Sequence, residues 1–143
     1  RAAGEDLVVH PEALDAVAFA TGRGATQSIL SMWWHDRLVP ATRRLGVAGS
    51  MVLVDGLRGP AGESKTEHLR RHLGELGSIV PGFGVGEVTV IGDVVDDATA
   101  AQTAGTGCVL VDTGSQSRTA LETTGLPVVS SLCEAVELAL SSS

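Results

Sequence analysis

A hydroxyl, an ammonium group and a cluster of carboxylates stand where apolar runs of this sequence give way to glycine or polar residues. Ser31 closes the run Gln27-Ser28-Ile29-Leu30 and precedes Met32-Trp33-Trp34. Lys65 follows the glycine-bearing segment Gly59-Pro60-Ala61-Gly62-Glu63-Ser64. Asp93, Asp96 and Asp97 come straight after Val88-Thr89-Val90-Ile91-Gly92. These residue types suit phosphate chemistry with a hard divalent cation. Carboxylate oxygens are ligands for Mg²⁺, a hydroxyl donates to a phosphoryl oxygen, and an ammonium offsets phosphoryl charge.

Groups of this kind are useful only if rigid elements hold them, and the pattern supplies such elements. Short β-rich apolar runs recur at 27–31, 51–55, 88–92, 108–112 and 127–129. They are continuous instead of alternating, which fits parallel strands covered on both faces. Helical spacing fills the gaps. Pro11 opens a helix over 11–20 in which Leu14, Val17 and Ala18 share a face. Trp34, Leu38, Ala41 and Leu45 lead to a stop at Gly46, and Leu69, Leu73 and Leu76 to one at Gly77. Segments 97–104 and 118–124 end at Gly105 and Gly125, and 131–140 carries Cys133, Val136 and Leu140 on one face. Repeated β-α-β order predicts an α/β fold, an open parallel sheet with helices on both faces. In such sheets ligands sit beyond the carboxyl ends of strands, where Ser31 and Asp93 are expected.

Taken in order, these elements resemble the haloacid dehalogenase-like (HAD) hydrolase superfamily, most of whose members are Mg²⁺-dependent phosphatases. In that family a strand-end Ser or Thr holds the phosphoryl group, matching Ser31, and a Lys near a helix start follows, matching Lys65. A strand ending in Gly-Asp with a further Asp downstream matches Gly92-Asp93 and Asp97, with Asp96 an extra neighbour. Ala100-Ala101, Ala104-Gly105, Val109-Leu110-Val111 and Gly114 look like the helix, strand and turn that come next. The resemblance implies a HAD-like core acting on a small phosphorylated metabolite through an aspartyl-phosphate. Asp93 and Asp97 would hold or orient Mg²⁺, Ser31 would bind phosphate, and Lys65 would stabilise the nucleophile and phosphoryl charge.

The sequence departs from the family at one place. Members open with a strand carrying Asp-x-Asp-Gly-Thr, whose first Asp is the nucleophile, and no such segment occurs here. Asp55, in Val54-Asp55-Gly56-Leu57, has Leu57 where the second Asp should stand and lies between the Ser and Lys matches. It reads as the end of an ordinary strand. The expectation is therefore one α/β domain over 1–143 that is the carboxyl-terminal core of such a hydrolase, with residues 1–9 a remnant of the cap or its linker. In the family the nucleophile strand lies between the strands ending in Ser31 and Asp93. Its place must then be filled by a missing N-terminal segment, an exchanged strand from a second copy, or residues 6–10, because open edges and voids are costly.

Other features bound the alternatives. Seventeen Asp and Glu against ten Lys and Arg give a net charge of −7, which disfavours nucleic acid and anionic membrane surfaces as partners. With 43% hydrophobic residues and no run long enough to span a bilayer, a soluble, cytoplasmic domain is expected. Cys108 and Cys133 lie in apolar runs and read as packed, reduced thiols. His68 and His72 have metal-ligand spacing, but beside Arg70 and Arg71 they read as surface residues. One of Trp33 and Trp34 is expected to pack and the other to face a pocket. Gly82-Phe83-Gly84-Val85-Gly86 precedes a strand, so it reads as a connector, not a dinucleotide loop. The rival readings are a silent binding or assembly module that kept the sheet and, more weakly, a nucleotide-binding domain.

Overall fold

The computed structural model describes residues 11–57 and 64–141. The expectations for residues 1–9, for recruitment of 6–10 into a sheet and for the loop at 59–63 fall outside them. Where the sequence reads as one domain, the chain divides into two compact units, 1–63 and 64–143. Each has its own parallel sheet and its own helices, so the fold is α/β with parallel sheets flanked by helices.

The first unit runs α1 (Pro11–Gly22), β1 (Ser28–Trp34), α2 (His35–Arg44), a 3-10 turn (Ala48–Ser50) and β2 (Leu53–Leu57). β1 and β2 pair in parallel, and α2 packs on both through its buried Leu38 and Ala41. Gly46, at φ +76°, lets the chain leave α2 where a side chain would be strained. β1 runs past Ser31 to Trp34, so Ser31 is inside the strand and not at its end. The helix begins at His35, with Trp34 as its half-exposed N-cap. Asp55 is likewise interior to β2 and fully buried.

The second unit runs α3 (Lys65–Ile79), a 3-10 turn (Val85–Glu87), β3 (Thr89–Gly92), α4 (Val95–Ala104), β4 (Gly107–Val111), α5 (Arg118–Glu122), β5 (Val128–Val129) and α6 (Leu132–Ser141). The sheet order is β3-β4-β5, all parallel. β4 is central, and its residues alternate between two apolar layers. Cys108 and Leu110 join Ala98, Ala101 and Leu121 under α4 and α5. Val109 and Val111 join Ala135, Leu132 and Leu138 under α6. A strand covered on both faces has no polar side, which is why 108–111 is an unbroken apolar run. Each fully buried leucine here contributes about 1.5–3 kcal/mol of transfer free energy. Among the described residues β1 and β3 belong to different sheets.

α3 differs from its reading in two respects. It passes through Gly77 to Ile79, because one helical glycine costs only about 1 kcal/mol. It ends at Val80 (φ −123°, ψ 83°), the residue that Pro81 excludes from helical geometry. His68 and His72 are buried at 0% and 3% exposure, not on the surface. With Leu69, Leu73 and Leu76 they fill one arc of about 140° at 100° per residue, and Arg70 and Arg71 fall outside it.

Cys108 is buried and Cys133 partly so, both as free thiols. Burial, and secondarily the Asp97 carboxylate, push the Cys108 thiol up from 9.0 to about 11. An acid whose folded pKa is raised adds stability that is complete below the unfolded value of 9.0 and lost as pH rises through about 11. Replacing Cys108 with Ala is therefore expected to flatten the loss of stability over that window in urea melts. Iodoacetamide at pH 8 should leave Cys108 unmodified in the folded protein and label it in urea. Rapid labelling of the native thiol would contradict this packing.

Candidate functional site

The second unit brings three of the four expected site residues to the carboxyl edge of β3 and the facing helix ends. α3 starts with a Ser-x-x-Glu sequence: the Ser64 hydroxyl accepts from the Glu67 N–H at 3.1 Å. That cap fixes Lys65 as the first helical residue. A cation there opposes the helix dipole by about 0.3–1 kcal/mol, so the position needs a compensating anion. Asp97 supplies it, its Oδ1 accepting from Lys65 Nζ at 3.0 Å, with side chains 20% and 30% exposed respectively. α3 packs directly against α4, which makes this reach possible.

The other oxygen of Asp97 is also engaged. Oδ2 accepts from the N–H groups of Asp93 at 3.0 Å and Val94 at 3.2 Å, closing the turn that leads from β3 into α4. Gly92 is obligatory beneath it, because an added Cβ would fall inside the Asp97 side chain. Asp97 is thus a helix cap and an ion-pair partner at once. Both its oxygens are occupied by protein donors.

Asp93 is placed differently. It is exposed, and its carboxylate makes no ion pair or hydrogen bond among the described residues. It leans on the loop after β4, where an added Cβ on Gly114 would strike its carboxylate and lie 2.9 Å from its Cβ. Two residues on, Gln116 Oε1 accepts from the Val95 N–H at 2.7 Å and satisfies the next orphan donor of α4. Farther along the same edge Arg118 binds Asp112 at 3.0 Å, the Val128 carbonyl at 3.1 Å and the Ser130 hydroxyl at 3.1 Å. This clamp ties the ends of β4 and β5 together.

Among the described residues no three His, Cys, Asp or Glu side chains are arranged to hold a metal ion. Asp93 offers an uncommitted hard-oxygen ligand at this edge, so these residues fit one leg of a Mg²⁺ site. Asp96, the extra neighbour in sequence, is exposed in the first turn of α4.

Ser31 belongs to the first unit. β1 pairs regularly with β2 through Leu30↔Asp55 and resumes at Trp34↔Leu57, four residues later on one strand and two on the other. Ser31 therefore sits in a bulge, a feature common beside active sites. His35, directly after the bulge, accepts the Gly56 N–H through Nδ1 at 3.0 Å. Sequence reasoning did not single out Gln116 or His35 for the site, and it marked Gly114 only as the turn following the strand over 108–112.

The HAD-hydrolase-like family matches residues 60–135, which contain Lys65, Asp93, Asp97, Gly114 and Gln116. No curated protein gives a significant match. Among solved structures, a predicted phosphatase from Clostridium acetobutylicum aligns with a TM-score of 0.82 at 16% identity, over 93% of this chain and 60% of its own. A predicted phosphoglycolate phosphatase from Haemophilus somnus aligns with a TM-score of 0.76 at 12% identity, over 92% and 57%. A haloacid dehalogenase-like hydrolase from Streptococcus pneumoniae gives 0.73 at 14% identity, over 90% and 59%. The chain therefore spans between about half and three fifths of the length of the solved chains it resembles, and at these identities the likeness establishes the fold. With the family matched over more than half of its length, and with the Lys65, Asp93 and Asp97 arrangement in place, the chain belongs to the HAD-like hydrolases.

Proposed function

We propose that this chain is the core portion of a Mg²⁺-dependent phosphohydrolase that acts on a small phosphorylated metabolite in the cytoplasm. The observation that carries the reading is the exposed Asp93 carboxylate beside an Asp97 whose oxygens are spent on Lys65 and on the start of α4. The family membership and the phosphatase neighbours support it. That no described helix is long and apolar enough to cross a membrane is compatible with the location.

Each side chain then has a distinct role. Asp93 holds the cation, which when bound neutralises phosphoryl and carboxylate charge. Asp97, expected from the sequence to hold or orient the metal, fixes Lys65 and the Asp93 backbone. Lys65, in the second unit, offsets phosphoryl charge, and Ser31, in the first unit, is a hydroxyl able to donate to phosphate. The nucleophilic carboxylate comes from an Asp-x-Asp segment outside these 143 residues, or from a strand supplied by another polypeptide. Its oxygen forms the new bond to phosphorus as the ester O–P bond breaks, and the departing alkoxide takes a proton from a general acid on that same segment. Water then hydrolyses the acyl phosphate, releasing inorganic phosphate and restoring the carboxylate.

The division of labour between the two aspartates is testable in the full protein. Asp93→Ala is expected to lower Mg²⁺-dependent hydrolysis of a chromogenic phosphate at least about 100-fold while leaving the urea midpoint unchanged. Asp97→Ala should lower activity and also cost about 1–2 kcal/mol of stability, because it uncaps α4. Lys65→Ala should cost under about 1 kcal/mol, since a partly exposed ion pair contributes little. An Asp93→Ala enzyme that keeps full activity overturns the metal assignment. Absence of hydrolysis in the intact full protein with Mg²⁺ favours the silent binding module.

Gly114→Ala tests the support of Asp93 from the neighbouring loop. The added methyl should weaken the apparent affinity for Mg²⁺ about tenfold or more by displacing the carboxylate. Unchanged metal affinity, read by calorimetry, would mean that Asp93 tolerates the displacement.

A further inference from the structure

We infer that His35 is the positioning residue for Ser31, fixing the bulge from which the hydroxyl is presented. The inference rests on the reading of Ser31 as the group that holds the phosphoryl oxygen. It does not involve the metal or any residue of the second unit.

A strand that gains two residues against its neighbour has no regular ladder to hold them, and the bulged backbone is free to settle in more than one way. Here the interruption lies between the pairs Leu30↔Asp55 and Trp34↔Leu57, and Ser31, Met32 and Trp33 fall within it. On the partner strand the residue opposite the interruption is Gly56, which is buried. A buried N–H must find an acceptor, and the one it finds is the imidazole of His35 at 3.0 Å. The contact spans 21 residues of sequence and joins the first residue of α2 to the middle of β2. It therefore closes the bulge from the side where the strand pairing resumes. The irregular stretch that contains Ser31 is thus bounded on one side by the Leu30↔Asp55 pair and on the other by the Trp34↔Leu57 pair and the adjoining His35 to Gly56 bond.

The chemistry of the contact is specific. Because Nδ1 accepts the hydrogen bond from the Gly56 N–H, the ring proton belongs on Nε2. An aliphatic side chain cannot replace it, whereas an asparagine Oδ1 stands close to where Nδ1 does and also accepts. The role also explains a histidine at the start of a helix next to an exposed tryptophan, where helix propensity gives it no advantage.

The experiment uses the full protein and inorganic phosphate as the probe, with its inhibition constant against a chromogenic phosphate as the readout. Ser31→Ala is expected to weaken phosphate about tenfold, and His35→Ala to weaken it comparably with kcat less affected than KM. His35→Asn should restore phosphate affinity to within about twofold of the parent. The double variant Ser31→Ala/His35→Ala should bind phosphate no worse than Ser31→Ala, since residues acting through one group are not additive. Nitrogen-15 NMR of the parent should find the His35 ring proton on Nε2. Full additivity, failure of the Asn variant, or a proton on Nδ1 overturns the inference. Should Ser31→Ala leave phosphate affinity unchanged, the reading of Ser31 falls. A Ser31→Ala defect that a folded His35→Ala protein does not reproduce sinks the positioning role alone.

Discussion

The carboxylate of Asp97 is the constraint on which the second unit's functional edge depends. One oxygen closes the β3 to α4 turn by taking two backbone N–H groups, and the other holds the Lys65 ammonium on the neighbouring helix. Capping energies of about 0.5–2 kcal/mol exceed what a partly exposed ion pair adds, so the cap sets where Asp97 stands and the ion pair follows. Gly92 has to be glycine for the carboxylate to fit, and Gly114 for Asp93 to lie beside it. The order of causes is therefore glycine, then cap, then lysine. Asp93 is left exposed because its neighbour has absorbed the local donors.

Elements whose ends are set by local chemistry were legible in the sequence. Gly46 and Gly105 have positive φ and terminate the helices they were expected to terminate, while α5 ends at Glu122, before the positive-φ Gly125. The β4 run was legible because both of its faces are apolar, and the Gly92-Asp93 junction because an apolar run gives way there to glycine and carboxylates. What depended on tertiary contacts was not. Gly77 failed as a stop because α3 continues to pack, and its true end came from Pro81. His68 and His72 were judged by the arginines beside them in sequence. Their place on a helix is set by angle, and the leucine arc had room for both. The bulge at Ser31 left no mark on composition, since an extra pair of apolar residues reads as a longer strand.

The roles of the two aspartates differ for a related reason. From sequence, Asp93 and Asp97 are equivalent carboxylates at the end of one strand. A helix start makes them unequal, because Asp97, the third residue of α4, faces back toward the orphan N–H groups while Asp93, one residue before the N-cap Val94, does not. Two carboxylates with the same formal charge thus acquire different chemistry from four positions of spacing. One becomes part of the backbone's hydrogen bonding and the other stays available to a ligand.

The same distinction bears on how a HAD-like core can keep its geometry when the nucleophile strand is not among these residues. The functional edge of the second unit is held by contacts internal to it: the Ser64 cap, the Asp97 contacts, Gln116 on α4, and the Arg118 clamp joining Asp112, Val128 and Ser130. The Ser31 bulge is held within the first unit by the Gly56 to His35 bond. Neither set takes a described contact from an additional strand. Each unit therefore carries the preorganisation of its own polar groups through contacts made within it.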